Sequence, residues 1–188
     1  MKRSGLLMIV AVVLLFAFQV EAGKRGRDNP STVPQTGQKI AYHLGDDGDI
    51  QAGVPWVPQA RFIDNGNGTV TDTLTNLMWT KDAQGFENGM LWPDAIVACN
   101  DLDIYGYNDW RLPNLRELLS LADYGNYSPA LPIGHPFINV QFYFSWSSTT
   151  NPDPGYPNNS WGVSFYDGRM LSAGHEYHFF VWCVRGGN

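Results

Sequence analysis

Charged residues are scarce in this chain, and basic ones are the scarcer kind. Of its 188 residues only 16% are charged, with 12 Lys and Arg against 18 Asp and Glu, for a formal net charge of −6. Nucleic acids and anionic membrane surfaces bind clustered positive charge, so neither is expected as a partner. The 44% hydrophobic content excludes a disordered chain, and 20 Gly with 12 Pro exclude a long helical bundle. A single turn-rich domain with substantial β-structure is expected.

Only one long apolar run occurs, and it lies at the start of the sequence. Lys2 and Arg3 precede an apolar stretch over residues 5–18, and Ala22 ends a motif with small residues at the two positions that a signal peptidase reads. The stretch is shorter than the roughly 20 residues that a membrane span requires. Residues 1–22 are therefore predicted to be a cleaved signal peptide, with an uncleaved anchor as the alternative. The mature protein is expected to be secreted, in the periplasm or at the cell surface, without a stable membrane span.

Cysteine is nearly absent, since the chain holds only Cys99 and Cys183. In an oxidising compartment an isolated pair favours a disulfide over a metal site or a nucleophile, and two separate buried thiols are the alternative. The bridge would close a loop of about 85 residues and stabilise the fold by roughly 4–5 kcal/mol on the chain-entropy argument.

Composition divides the rest of the chain into two parts. Residues 23–58 are rich in Gly, Pro, Gln and Asp and lack apolar periodicity, which predicts an extended leader or linker. Its acidic cluster at residues 46–49 is interpreted as a solvated turn, with a calcium contact as the alternative. Residues 59–188 are predicted to form the folded domain.

The folded domain is predicted to begin with strands. Residues 62–64 and 69–71 flank the sequence Asn-Gly-Asn-Gly at residues 65–68, and because these residues tolerate positive φ a β-hairpin is expected. A second turn at residues 73–76 leads to a third strand at residues 77–80.

Two helices follow in the prediction. The first starts at Pro93, where a proline costs no helical hydrogen bond, and runs to about Leu102 with Cys99 turned toward the core. The second has a capping-box pattern formed by Asn114 and Glu117. Together with the strands these helices predict an α+β fold.

The last part of the chain, from residue 141 onward, has the pattern of β-strands. Its final run, residues 177–184, is apolar on both faces and is predicted to be a central strand. On such a strand Phe179, Val181 and Cys183 would share one side, facing the helix that holds Cys99.

No catalytic constellation stands out in the sequence. Nucleophile-elbow, phosphate-loop and His-Glu-x-x-His motifs are absent. His175 and His178 are three residues apart, so on a strand their imidazoles would point to opposite faces and could not share a metal ion. We therefore expect no enzyme activity, no catalytic residues, no metal ligands and no cofactor. For calcium no specific motif is present, because the turn around Asp64 and Asn67 lacks the terminal bidentate Glu of a calcium loop.

Aromatic and amide side chains in the late loops point to binding instead. Sugars are recognised by aromatic ring faces together with hydrogen bonds from Asn and Asp side chains. The predicted contact residues for a glycan or a surface protein are Tyr156, Asn158, Asn159, Tyr166 and Asp167. The alternative is that these tyrosines merely cover loops.

Several motifs, taken together and in order, resemble the Lcl C-terminal domain family, named for a bacterial collagen-like adhesin. The resemblance covers roughly residues 37–187. It rests on residues 62–72 with Leu77-Met78-Trp79, and then on Asp109-Trp110-Arg111-Leu112-Pro113-Asn114, Trp146-Ser147-Ser148-Thr149 and Val184-Arg185-Gly186. It implies a C-type-lectin-like fold, with two helices packed on mostly antiparallel β-sheet, for which a bridge from the first helix to the last strand is a frequent staple.

The resemblance also limits what function can be expected. The adhesin binds sulfated glycosaminoglycans, which need clustered Lys and Arg, and the folded region here has few. Residues 111–113 resemble a segment of formylglycine-generating enzymes, whose active-site cysteines have no counterparts here. The function hypothesis is a secreted, non-enzymatic, adhesin-like binding module that recognises a carbohydrate or a cell-surface macromolecule. A formylglycine-generating-enzyme-like or other enzyme, and a structural domain of an envelope assembly, are the alternatives.

Overall fold

A computed structural model describes residues 33–55 and 61–186 of the protein. The predicted signal peptide lies outside these residues. The described part of the chain is α+β. Its helices are α1 (Asp47–Ile50), α2 (Trp92–Asn100) and α3 (Leu115–Ser120), and its strands are β1 (Phe62–Asp64), β2 (Thr69–Asp72), β3 (Leu77–Thr80), β4 (Phe144–Thr150), β5 (Asn159–Ser164), β6 (Met170–Gly174) and β7 (Val184–Arg185). Within these residues no helix combines the length and hydrophobicity that crossing a bilayer would take.

The first sheet has four antiparallel strands in the order β1-β2-β3-β7. The predicted hairpin is confirmed, with Asp64 paired to Val70 across the turn. Gly66 and Gly68 adopt φ of +74° and +89° in that turn, a conformation that glycine reaches without steric cost. The third strand is also confirmed and pairs with β2 from Thr69 opposite Thr80.

The second sheet has three antiparallel strands in the order β4-β5-β6, and both longer helices pack against it. Helix α3 begins as predicted, because the Asn114 side chain accepts from the Glu117 backbone N–H and the Glu117 carboxylate accepts from the Asn114 N–H. It ends at Ser120. Helix α2 buries Ala95 and Cys99, as its pattern predicts.

Residues 179–185 join the two sheets, and here the predicted central strand is wrong. Phe179 exchanges backbone hydrogen bonds with Met90, Phe180 pairs with β4, and Val184 pairs with both β3 and Arg111. Only Val184–Arg185 forms regular strand. Each short stretch of this segment has a different backbone partner, so one continuous ladder cannot form. The architecture is therefore two sheets bridged by a shared segment.

The predicted alternation of side chains along that segment is nevertheless present. Phe179, Val181 and Cys183 lie in a core with α2 and β4, whereas Trp182 and Val184 lie in a second core with the first sheet and α3. The predicted disulfide is confirmed between Cys99 and Cys183, with the Cα atoms 5.6 Å apart. It fixes α2 to the bridging segment inside the first of these cores.

Residues 33–55, the described part of the predicted leader and here called the leader segment, are in contact with the domain. Asp46 caps the one-turn helix α1, accepting from the Asp49 N–H. The Tyr124 N–H donates to the Thr36 carbonyl, with the N and O atoms 2.6 Å apart. The segment thus contains helix where an extended leader was predicted, because the acidic cluster supplies a helix cap rather than only a solvated turn.

His135, half-buried in the loop before β4 and beside the Phe137 ring, makes stability dependent on pH. Burial lowers the pKa of this imidazole below its ordinary value of 6.5. The unfolded chain therefore binds a proton more readily than the folded protein as the pH falls below about 6.5, and stability is lost through that window. We expect His135→Gln to flatten the fall in unfolding free energy between pH 7.5 and pH 5 in urea titrations. His178→Gln, at an exposed imidazole, is the control, and equal slopes for the two variants would refute the assignment.

Candidate functional site

The five predicted contact residues occupy both ends of strand β5. Tyr156 and Asn158 lie in the loop before the strand and Asn159 is its first residue, whereas Tyr166 and Asp167 lie in the turn after it. A strand rises about 3.3 Å per residue, so the two groups are roughly 17 Å or more apart. They do not form one contiguous site.

The loop before β5 is held mainly by its own backbone. The Asn159 N–H donates to the Tyr156 carbonyl and the Asn158 carbonyl accepts from the His175 N–H. The Tyr156 and Asn158 side chains are exposed, whereas that of Asn159 is half-buried near Ser172. Within this loop the exposed aromatic ring is that of Tyr156.

At the other end of β5 the structure adds two tyrosines that sequence reasoning missed. Tyr124 and Tyr127 come from the loop that follows α3. Tyr127 lies beside Tyr166, with the ring centroids 6.4 Å apart, and Tyr124 lies against Gly168 of the same turn. The exposed fractions are 50% for Tyr124, 74% for Tyr127 and 47% for Tyr166. These three tyrosines with Asp167 are here called the tyrosine patch.

Backbone pairing explains why these two segments meet. The turn after β5 buries Phe165, which leaves Tyr166 pointing outward, and Gly168 closes the turn at φ +80°. The loop runs alongside it, since the Ser128 N–H donates to the Tyr166 carbonyl and the Ala130 N–H to the Phe165 carbonyl. The patch is therefore supported by main-chain hydrogen bonds.

Tyr124 is anchored by its phenol. Its hydroxyl donates to the Gly168 carbonyl with the oxygens 2.9 Å apart. Partial burial, with the negative charge of Asp167 as a smaller cause, raises the pKa of the Tyr124 hydroxyl above its ordinary value. The phenol therefore stays protonated and remains a donor at neutral pH. The Tyr124 ring is thus fixed, and Tyr127 is the most exposed of the three.

The carboxylates and amides of the two acidic turns are engaged internally. Asp64 pairs with Lys81, which is the main reason that the pKa of its carboxyl is lowered, and it accepts from the Gly66 N–H. Asn67 accepts from Thr69, and Asp46 accepts from three backbone N–H groups. In the described ranges no group of three or more His, Cys, Asp or Glu residues is arranged to hold a metal ion.

The two late histidines have separate surroundings. The His175 ring stacks on Trp92 at 4.3 Å between centroids, and its Nε2 lies 2.9 Å from the Ser160 hydroxyl oxygen. His178 borders a different depression, beside Gly89 and Asp94. Ser160 is fully buried, so its hydroxyl is not positioned to attack a substrate.

Most basic side chains among the described residues are held in ion pairs. The pairs are Arg61–Asp72, Lys81–Asp64, Arg111–Glu117, Arg169–Asp167 and Arg185–Asp109. A cation that is paired with a carboxylate attracts a sulfate or phosphate less strongly. These surfaces therefore suit an anionic polymer poorly.

A family model described as the Lcl C-terminal domain matches residues 68–185, which is more than half of the chain. The chain belongs to the Lcl C-terminal domain family. The Lcl C-terminal domain match includes α2, α3, both cysteines and the whole tyrosine patch, and it begins after β1 and the leader segment. It is shorter than the stretch over which the motifs resemble the family. No curated protein matches the sequence.

Proposed function

We propose that the protein is an exported, surface-associated binding module that recognises carbohydrate through the tyrosine patch, on a C-type-lectin-like fold. Membership of the Lcl C-terminal domain family supports an adhesin-like or surface-associated role. The observation that carries carbohydrate recognition is the grouping of Tyr124, Tyr127, Tyr166 and Asp167 on one exposed surface.

The chemistry of the patch suits sugars. An aromatic ring packs against the C–H face of a pyranose, and the phenol and carboxylate groups bind its hydroxyls. Asp167 adds negative charge at the site, because its ion pair with Arg169 is long, at 3.6 Å between Nε and Oδ2, and exposed, so it compensates the carboxylate weakly. Neutral or amino sugars are therefore favoured over sulfated ones, because a sulfate would be repelled by the carboxylate.

A binding role is also favoured over the thiol chemistry that the formylglycine-generating-enzyme alternative would need. Both cysteines of the chain are joined in the disulfide, and both are buried. Neither sulfur is a thiolate that could attack a substrate.

The proposal predicts that Tyr166→Ala weakens glycan binding while the protein stays folded. The test is an array of neutral, amino and sulfated oligosaccharides, followed by titration of whichever glycan the wild-type protein binds. Truncation of a central aromatic contact costs about 1–2 kcal/mol, so affinity should fall by roughly 10-fold.

Tyr156→Ala is the matched control, because this tyrosine is similarly exposed but lies at the opposite end of β5. It should leave affinity unchanged. An effect of Tyr156→Ala with none from Tyr166→Ala would move the site to the other end of the strand. Absence of wild-type binding to every glycan would reject carbohydrate recognition.

A further inference from the structure

The leader segment contacts the same loop that carries Tyr124 and Tyr127. The backbone N–H of Tyr124 donates to the Thr36 carbonyl, with N and O 2.6 Å apart, while the Tyr124 hydroxyl donates to Gly168. Tyr124 therefore links the leader segment to the turn that carries Tyr166. This link lies partly outside residues 68–185, the range of the family match.

The leader segment and the loop that follows α3 approach closely because each has a glycine at the contact. Gly37 is buried with φ of +91°, and a Cβ atom there would lie 1.7 Å from Asp123 Oδ1. A Cβ atom on Gly125 would lie 2.1 Å from the Gly37 carbonyl oxygen. A side chain at Gly37 would displace the Asp123 carboxylate, and one at Gly125 would displace the Gly37 backbone, so the docking depends on both glycines.

Asp123 connects the glycine contact to the rest of the loop that follows α3. Its side chain is 3% exposed, and it accepts from the Gly125 N–H at 2.8 Å and from the Asn126 amide at 2.7 Å. Its own N–H donates to the Ala130 carbonyl. The carboxylate that Gly37 packs against is thus the group that organises residues 123–126.

The leader segment docks as a closed loop. The Gln35 N–H donates to the Val54 carbonyl and the Val54 N–H donates to the Val33 carbonyl, each with N and O 2.9 Å apart. Between these ends, Gly48 of α1 packs on the Ile40 backbone. Because its two ends are joined, Thr36 and Gly37 are presented by a folded structure.

We propose that the leader segment is a positioning element of the tyrosine patch, and that docking through Gly37 fixes Tyr124 against the turn that carries Tyr166. Residues 68–185 alone would then carry an incompletely ordered patch. That the patch binds a glycan rests on the proposed function, whereas the docking itself can be tested without any ligand.

The test compares Gly37→Ala and Gly125→Ala with Gly45→Ala in the full mature chain. Gly45 lies in the same segment with a similar φ of +86°, and a Cβ atom there meets nothing within 4 Å. It therefore controls for backbone strain without a clash. Gly125 has no positive φ, so its variant tests the clash without that strain.

Hydrogen exchange at the Tyr124 amide is the first readout. In Gly37→Ala and Gly125→Ala this amide should exchange about 10-fold faster or more, because local opening removes its acceptor. The Ala130 amide, which donates to Phe165, should keep its protection and so report that the domain is still folded. Gly45→Ala should behave as wild type. Unchanged Tyr124 protection in both clash variants, or an equal loss in Gly45→Ala, would overturn the proposal.

Glycan titration is the second readout, on whichever array oligosaccharide the wild type binds. Both clash variants should bind it at least about threefold more weakly, since a site that is ordered only part of the time has a lower apparent affinity. Faster Tyr124 exchange with unchanged affinity would overturn the positioning role. A wild type that binds no glycan would overturn the proposed function instead, and Tyr124 exchange would still decide whether the leader segment fixes the loop.

Discussion

Replacing both cysteines with serine is expected to lower the free energy of unfolding by about 4–5 kcal/mol, since the disulfide spans 84 residues and restricts the unfolded chain. Cys99 and Cys183 are both buried, so the lost packing of the sulfurs adds to this loss. Chemical denaturation of the Cys99→Ser/Cys183→Ser protein against wild type measures the effect. For a domain of ordinary stability, about 5–15 kcal/mol, this is a large share of the total.

Wild-type protein unfolded in the presence of a reductant is the control for the serine substitutions themselves. Reduced wild type and the double variant should unfold at similar denaturant concentrations. A double variant as stable as the oxidised wild type would show that the bridge contributes nothing. Thiol counting on the unfolded wild type should find no free thiol, and two free thiols would contradict the disulfide directly.

The second large effect is expected for Asp72→Ala, at a cost of about 3–5 kcal/mol, because it leaves the Arg61 charge buried without its carboxylate. Arg61 and Asp72 form two hydrogen bonds, Nε to Oδ1 at 2.8 Å and Nη2 to Oδ2 at 2.7 Å, and their side chains are 5% and 0% exposed. The same guanidinium donates to the Ser120 carbonyl, which ties the first sheet to the end of α3. Asp72 also accepts from the residues of the following turn.

Asp64→Ala is the matched control for Asp72→Ala, since it removes an ion pair from the same hairpin. Lys81 and Asp64 also approach to 2.7 Å, but their side chains are 30% and 37% exposed, and exposed pairs contribute little. Urea titrations of the two variants should therefore differ widely in midpoint. Equal midpoints would mean that burial does not set the strength of the Arg61–Asp72 pair.

Local signals in the sequence predicted the elements that are determined locally. The hairpin follows from Asn and Gly in its turn, and the start of α3 follows from Asn114 and Glu117, because each feature depends on residues only a few positions apart. The disulfide was predictable because the chain has only two cysteines. The alternation likewise predicted correctly that Phe179, Val181 and Cys183 share one side, facing the helix that holds Cys99.

Features that depend on distant partners were not predictable in this way. Residues 177–184 look like one strand by hydrophobicity, yet their hydrogen bonds go to separate elements, and hydrophobicity does not specify acceptors. Tyr127 and Tyr166 are 39 positions apart and meet through backbone pairing of two loops. The β-strand pattern from residue 141 onward was predicted, and strand β5 within it is enough to separate the two groups of contact residues.

The docking of the leader segment had the weakest sequence signal. Its composition is that of a linker, and its contact with the domain uses a backbone hydrogen bond and two glycines rather than a stripe of apolar side chains. Gly37 and Gly125 give no sign in the sequence that they face one another. Close approach of two backbones is a use of glycine that only the three-dimensional structure reveals.

The bridging segment at residues 179–185 has a consequence for biosynthesis. A ribosome makes the chain from its amino end, so Phe179, Trp182 and Val184 emerge after the strands and helices that they connect. Until then both cores lack the side chains that this segment contributes, and Cys99 has no cysteine with which to form the disulfide. The domain is therefore expected to stay unfolded until residues 179–185 have been synthesised, so that both cores and the disulfide form late.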